Sequence, residues 1–489
     1  MGRHHKTVIA SNGIDRREEG YSSTPDFVAD FLSKKCLALS PGAKAVLDPC
    51  AGKEELLHFF HKQDLNTDTF DLLNHGVHNS TTFEQADFLK YYASTYTDLP
   101  LLEGPRWSHH DIVIANPPYN CHEVDYIRNN KPWLTSAFSE IGCHNMYSMF
   151  MYALIQIAKP GCVIGLIVSD SFLSHTAHMP LREHIVKSCS VELVALCPTD
   201  LFKAQKADVR TCIIVLRKEG TQGRVEVLNR AKTEAEFRNA LAENSFERLS
   251  LSEILLNSSD DGKEFIIGCP SEIREMFSYQ RIGSEFRCVT GISTGNDKKF
   301  LAKAPTSEHS IPFYKNPAGR RFFCQPDAYL PNNFLEIDKQ EKTFMVRNKS
   351  LLMRGGVTCS SMGVAFGACR LPENATYGVN SNIICDDADA WWILGYINSY
   401  LVGYLVRGVM LRTNMITSGY VSRIPLVKLS LSAKEMIGEI SKRAYSTMSS
   451  YGHEHAIEEI NSIVYDEANI SLDTQLMLEV FAREMLKRT

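Results

Sequence analysis

Asn116-Pro117-Pro118-Tyr119 is the stretch of this 489-residue chain whose residue types most directly imply chemistry. It ends an apolar run, Asp111-Ile112-Val113-Ile114-Ala115, that reads as a buried strand. Two prolines fix φ and remove backbone donors, so the turn is rigid and its carbonyls are left to accept hydrogen bonds from something else. The Asn116 side-chain carbonyl and the Pro117 backbone carbonyl are suited to take both hydrogens of an exocyclic amino group. Doing so would draw the nitrogen toward tetrahedral geometry and free its lone pair for attack on a methyl sulfonium. Tyr119 would stack on the ring that carries the amino group. The plain alternative is a strand-terminating turn, because Asn-Pro commonly starts one. The β-run in front of it, inside an α/β pattern, favours the chemical reading.

Upstream, Ala45-Val46-Leu47-Asp48-Pro49-Cys50-Ala51-Gly52 reads as a strand running into a small-residue turn, where a glycine lets a ligand approach the backbone. Asp71 follows the next apolar run and has the chemistry to hold two ribose hydroxyls. Ala86-Asp87-Phe88-Leu89 then offers a carboxylate for an adenine amino group and a ring to stack on it. Each of these acids alone is more often a surface residue than a ligand, so the order of the set carries the weight.

The elements that must position these residues form an α/β pattern from about Ser23 to Lys218. Strands are expected at Ala45–Leu47, Thr69–Phe70, Asp111–Ala115, Cys162–Val168, Val191–Leu196 and Thr211–Leu216, with helices at Asp26–Leu37, Glu54–Lys62 and Tyr147–Ala158. Such alternation places ligand chemistry at the carboxyl ends of the strands. Glu219-Gly220-Thr221-Gln222-Gly223 reads as a boundary. Three parts are therefore expected: 1–220, a mixed and turn-rich 221–429, and a helical segment 430–489 packed on the second part. The apolar stretch Ala390–Val406 is shorter than the roughly 20 residues a membrane span needs and contains Asn398 and Ser399, so it is expected as a buried helix. The amino terminus shows neither a signal peptide nor a lipid-anchor pattern.

Hydrophobic residues at 44% and charged residues at 22% exclude a disordered or fibrous chain. The 14 cysteines include no C-x-x-C pair, which disfavours a zinc ribbon, and free thiols point to a cytoplasmic protein. The net charge of −5 argues against a generally basic coat for nucleic acid. It conceals a basic window, Lys298–Arg354, with 11 Lys and Arg against 5 Asp and Glu.

Taken in order, Ser23-Thr24-Pro25, Asp48-Pro49-Cys50-Ala51-Gly52, Asp71, Asp87-Phe88 and Asn116-Pro117-Pro118-Tyr119, followed by a large second part, resemble the amino-group DNA methyltransferases of the gamma motif order. That family includes the Taq-type adenine methylases and the methylase portions of type IIG restriction-modification enzymes. The resemblance covers nearly the whole chain. It implies an α/β, Rossmann-like S-adenosylmethionine-dependent methyltransferase domain with a mixed α+β carboxyl-terminal target-recognition domain. It further implies that Thr24, Asp48, Cys50, Gly52, Asp71, Asp87, Phe88, Asn116 and Phe150 bind S-adenosylmethionine. Phe150 closes Asn145-Met146-Tyr147-Ser148-Met149-Phe150, which matches a family motif. Asn116, Pro117, Pro118 and Tyr119 would carry catalysis, with Tyr119 and Phe202 packing on a flipped-out adenine, and neither a metal nor a covalent enzyme intermediate is expected.

The second part resembles the family's recognition half through Thr290–Phe300, Met353–Thr358, Arg370-Leu371-Pro372 and Arg423–Leu426. Lys298, Lys299, Arg320, Arg321, Arg354 and Arg370 are the expected DNA contacts, since Gly-rich turns beside basic side chains suit phosphates. The expected partner is double-stranded DNA, with a separate cognate restriction endonuclease, no membrane, and a monomeric chain. One departure stands out: Glu54 replaces the family's second turn glycine, where a side chain is placed to crowd or repel the methionine carboxylate. Cofactor binding is still expected. The alternatives are a non-catalytic DNA-recognition subunit with a degenerate cofactor turn, or a methylase of RNA adenine, protein glutamine or cytosine.

Overall fold

The computed structural model describes residues 23–63, 65–76, 78–97, 107–119, 125–199, 201–202, 210–256, 262–362, 365–410, 415–447 and 450–486. The chain divides into two compact units between Gly268 and Cys269.

The first unit is built on a nine-stranded sheet. Its strands are β1 (Ala45–Asp48), β2 (Asn66–Asp71), β3 (Thr82–Gln85), β4 (Ile112–Ala115), β5 (Val163–Ser169), β6 (Cys189–Leu196), β7 (Thr211–Lys218), β8 (Val225–Leu228) and β9 (Glu247–Leu249). They lie in the order β3-β2-β1-β4-β5-β7-β6-β8-β9. The first five run parallel, while β7 is inserted antiparallel between β5 and β6. The register sets Val46 opposite Ile112 and Asp71 opposite Gln85.

Strands β1 and β4 are buried along their whole length, as parallel strands covered on both faces must be. The helix Asp26–Leu39 covers one face with Val28, Leu32 and Cys36. Gly165 on β5 makes room for it, because a Cβ there would stand 2.5 Å from Cys36 Sγ. The helix Met146–Ile157 covers the other face and is buried nearly all round, as a helix inside a large core should be.

The expected strands and helices of this unit are present with ends shifted by a few residues. In place of one helix over Glu54–Lys62 there is a 3-10 turn, Glu55–Leu57, followed by the short helix His58–His61. The expected boundary at residue 220 departs from the structure. After Glu219–Gly223 the chain returns to the same sheet, β8 running parallel to β6 and β9 antiparallel to β8, and the unit closes at Gly268.

The second unit holds a four-stranded antiparallel sheet in the order Arg287–Val289, Asn382–Ile384, Gly356–Cys359, Ala368–Leu371, and two smaller sheets. Ala390–Val406 is divided between the helices Asp387–Asn398 and Tyr400–Tyr404 and the turn that follows them, and its residues are largely buried. No helix among the described residues is long and apolar enough to cross a membrane. The helical segment after residue 430, with helices Leu431–Thr447, Ser450–Glu467 and Leu472–Leu486, belongs to this unit. Gly395 lets the first of these helices pack closely, since a Cβ would meet Ile437 Cγ2 at 2.4 Å.

Candidate active site

Because β2, β1 and β4 are neighbours running the same way, their carboxyl ends bring Asp71, the Asp48–Gly52 turn and Asn116 side by side. The Gly52 backbone N–H donates to Asp71 Oδ2 at 2.8 Å, and Leu73 N–H donates to Oδ1 at 2.9 Å. Each carboxylate oxygen keeps a second lone pair for a ligand hydroxyl. Asp48 is 1% exposed and receives the Cys50 N–H at 3.1 Å. Burial pushes its carboxyl well above the ordinary carboxylate range, and the charged groups acting on it, Asp71, Glu55 and Glu54, are all acidic. The Cys50 thiol is pushed up by burial and by Asp48, and it lies against the Asn116 N–H.

The Asn116 amide is oriented by Thr24, whose buried hydroxyl accepts from Nδ2 at 3.0 Å. Its Oδ1 accepts from the Tyr119 hydroxyl. The atom expected to receive a substrate amino hydrogen is thus held by a displaceable donor. Pro117 is buried and Pro118 half-buried. The rings of Tyr119 and Phe202 lie 6.2 Å apart at 60°, and Phe202 is 1% exposed. The two rings are neighbours, but at this tilt they do not form a parallel slot for a base.

Asp87 caps the helix Phe88–Tyr92 through the Leu89 and Lys90 N–H groups, and its Oδ2 accepts from the Tyr126 hydroxyl at 2.7 Å. Phe88 stacks on Phe150 at 5.7 Å, and both are buried. This spacing joins the expected cofactor residues of two helices into one apolar wall. Its rings meet each other face to face.

Glu54 is fully buried and adopts φ +61°, a left-handed conformation that suits glycine, just as Gly52 does at +55°. The residue that replaces the turn glycine therefore takes the glycine's backbone shape. Its carboxylate is directed to the β2–β3 connection, accepting from Asn79 N at 2.7 Å and from Ser80 Oγ at 2.6 Å, with His61 and His78 nearby. Ser80 and Asn79 thus hold the Glu54 side chain at the β2–β3 connection.

Three features of the site have no clear mark in the sequence. Arg230, after β8, joins Asp170 at the end of β5 to the Cys197 carbonyl at the start of the segment leading to Phe202. Tyr126 completes the Asp87 carboxylate. The Tyr147 hydroxyl bridges Ser171 Oγ at 2.8 Å and His178 Nε2 at 2.9 Å, and burial drives His178 down to about 3. Only Tyr147 had a signal, as part of the stretch Asn145–Phe150.

In the second unit the six expected DNA contacts separate into two groups. Lys298, Lys299, Arg320 and Arg354 are exposed, with Lys299 paired to Glu341 and Arg320 to Asp327. Arg370 is only 5% exposed and is consumed by the Gly356 and Leu371 carbonyls and Asp387, which ties two strands to the start of the helix Asp387–Asn398. Arg321 donates to the Asn398 carbonyl and is driven below the usual guanidinium range by burial. Arg370 thus faces the interior of its unit, where it closes two carbonyls, and Arg321 is half-buried. All described cysteines are free thiols.

The parallel strands β3-β2-β1-β4-β5 followed by the reversed β7 and then β6 define the fold of the class I S-adenosylmethionine-dependent methyltransferases. Residues 14–263, just over half of the chain, match the N-6 DNA methylase family, and the chain belongs to it. A type II methyltransferase of Aneurinibacillus aneurinilyticus, M.BanIII, is 26% identical over 218 residues, a match that covers 39% of this chain and 37% of that protein. The chain thus matches little more than a third of that curated relative. Among solved structures, the type IIL restriction-modification enzyme MmeI in complex with DNA has a TM-score of 0.59 at 11% identity, over 97% of this chain and 79% of that one. A DrdV–DNA complex has a TM-score of 0.53 at 9% identity, over 89% and 58%. At these identities the two structures speak for the fold alone.

Proposed function

We propose that this chain is an adenine-specific DNA methyltransferase acting on the 6-amino group of a base flipped out of duplex DNA, as the modification part of a restriction-modification system. The observation that carries the reading is the Asn116 amide, fixed by Thr24 so that Oδ1 faces Tyr119 at the carboxyl end of β4. The family to which the chain belongs supports the same reading.

The residues fit S-adenosylmethionine. Asp48, a buried carboxyl with acidic neighbours, suits a ligand ammonium, and Asp71 beside the Gly52 turn suits ribose hydroxyls. Thr24, Cys50, Asp87, Phe88, Asn116 and Phe150 complete the set that would hold it. When bound, this cofactor supplies an electrophilic methyl group on a sulfonium. Asn116 Oδ1 and the Pro117 carbonyl accept the two amino hydrogens of the base, which frees the nitrogen lone pair. Tyr119 gives up its bond to Asn116 and stacks with Phe202 on the extruded ring, offsetting the few kcal/mol that unstacking costs. Lys298, Lys299, Arg320 and Arg354 contact duplex phosphates.

The test is transfer of tritium from labelled S-adenosylmethionine to duplex DNA, RNA and protein. Transfer to duplex adenine is expected, falling about 10²–10³-fold in Asn116→Ala, as when one catalytic hydrogen-bonding group is lost. Full activity of the variant, or transfer to RNA or protein instead, would overturn the reading.

A further inference from the structure

Away from the carboxyl ends of the strands, Asp68 on β2 meets His109 and His110, which lead into β4. Asp68 Oδ2 lies 2.9 Å from His110 Nε2 and 3.4 Å from His109 Nε2, and the three ligand atoms all fall within 4.8 Å of one another. Donor atoms around a tetrahedral zinc, with bonds of about 2.0–2.2 Å, stand roughly 3.3 Å apart. Two imidazoles and one carboxylate, with an open fourth position for water, are a ligand set suited to zinc.

The surroundings orient the set as supporting groups do in metal sites. His110 Nδ1 is engaged by the Ser108 hydroxyl, which directs Nε2 at Asp68. The Thr82 hydroxyl of β3 donates to Asp68 Oδ1 at 2.5 Å, which leaves Oδ2 toward the histidines. Lys159 Nζ fixes the His109 carbonyl at 2.6 Å, and its charge is met by Asp111 at 2.7 Å. Of the three ligands His110 is buried and Asp68 half-buried, while His109 is 70% exposed and leaves the site open to solvent.

We propose that Asp68, His109 and His110 bind a divalent transition-metal ion, zinc above others, that pins the segment entering β4 to β2. The site stands apart from the methyl-transfer residues and does not depend on their assignment. It is joined to them by β2, which carries Asp68 and ends in Asp71, and by β4, whose far end leads to Asn116.

The test uses the full chain stripped of metal with a chelator, then titrated with Zn²⁺ by calorimetry and followed by thermal unfolding. Wild type is expected to bind one more zinc per chain than His109→Ala and to unfold at a higher temperature with zinc, since a ligand of the native state stabilises it. His109→Ala should melt like chelated wild type and show no zinc shift. Ser108→Ala should weaken the site about 10–100-fold. Cobalt in the same site should give visible bands without thiolate charge transfer. No difference in zinc stoichiometry between wild type and His109→Ala, or a thiolate band lost in that variant, would overturn the proposal.

Discussion

Replacing Glu54 by glycine restores the family's cofactor turn on paper, and the structure predicts that it weakens the protein. The substitution relieves a left-handed backbone at φ +61°, worth about 1–2 kcal/mol for a residue with a Cβ. Against this, it removes the carboxylate that accepts from Asn79 N at 2.7 Å and Ser80 Oγ at 2.6 Å in a fully buried position. Hydrogen bonds to a charged group contribute about 1.5–3 kcal/mol each, so two of them outweigh the strain. The net loss is about 2–4 kcal/mol, or very roughly 5–15 °C in the midpoint of this unit. Because the carboxylate is held by Asn79 and Ser80 and acts on Asp48 as the weakest of its acidic neighbours, affinity for S-adenosylmethionine should change by less than about threefold, well under the 1.4 kcal/mol of a tenfold effect. Thermal unfolding and calorimetric titration of Glu54→Gly and Glu54→Gln measure both quantities. The glutamine variant keeps an acceptor for Ser80 and should fall between wild type and glycine. A glycine variant that is more stable than wild type, or that binds the cofactor tenfold more tightly, would refute the reasoning.

Three further outcomes are expected. Tyr119→Phe keeps a ring for stacking and releases Asn116 Oδ1, so methyl transfer should hold within about threefold, whereas Tyr119→Ala should lose the 1–3 kcal/mol of base stacking, roughly 5–150-fold in activity. Single-turnover assays on the two variants separate these outcomes, and equal losses would mean that the hydroxyl matters more than the ring. Lys298→Ala and Arg354→Ala should each reduce the salt dependence of duplex binding by about one unit of slope, while Arg370→Ala should leave the slope unchanged and cost about 1–3 kcal/mol of stability for each of the Gly356 and Leu371 carbonyls left without its donor; filter binding over a salt series and urea unfolding read these. His178 has a folded value of about 3 against an ordinary 6.5, so the unfolded chain binds more protons between those limits. Stability is therefore level above pH 6.5 and declines on acidification, by about 2 kcal/mol at pH 5. His178→Gln should remove that part of the decline in urea unfolding at pH 7 and 5, and an unchanged decline would count against it.

The site was legible where its chemistry is local. Asn116 to Tyr119 declare themselves because the two prolines and the strand in front of them are contiguous, and β1, β4, β5, β6 and β7 are continuous apolar runs. β3 escaped because Thr82-Phe83-Glu84-Gln85 is short, polar and largely exposed. β8 and β9 escaped because they follow a polar, glycine-containing stretch that has the composition of a linker. The links from Arg230 to Asp170 and from Tyr126 to Asp87 join residues far apart in sequence, and no periodicity announces such pairs. Glu54 shows the limit most clearly. A missing glycine is visible in the sequence, but the direction of the side chain depends on Ser80, which only the folded β2–β3 connection supplies.

The return of the chain to the sheet after Gly223 has a practical consequence for dissecting the protein. A fragment ended near residue 220 would keep β6, an almost wholly buried apolar strand, and discard β8, which pairs with it from Leu193 to Ala195. The backbone N–H and C=O groups along that side of β6 would then stand open as a template for other chains, the hazard of an uncovered edge strand. Such a fragment would aggregate for reasons unrelated to its active site. One that runs to Gly268 keeps the sheet capped by β8 and β9.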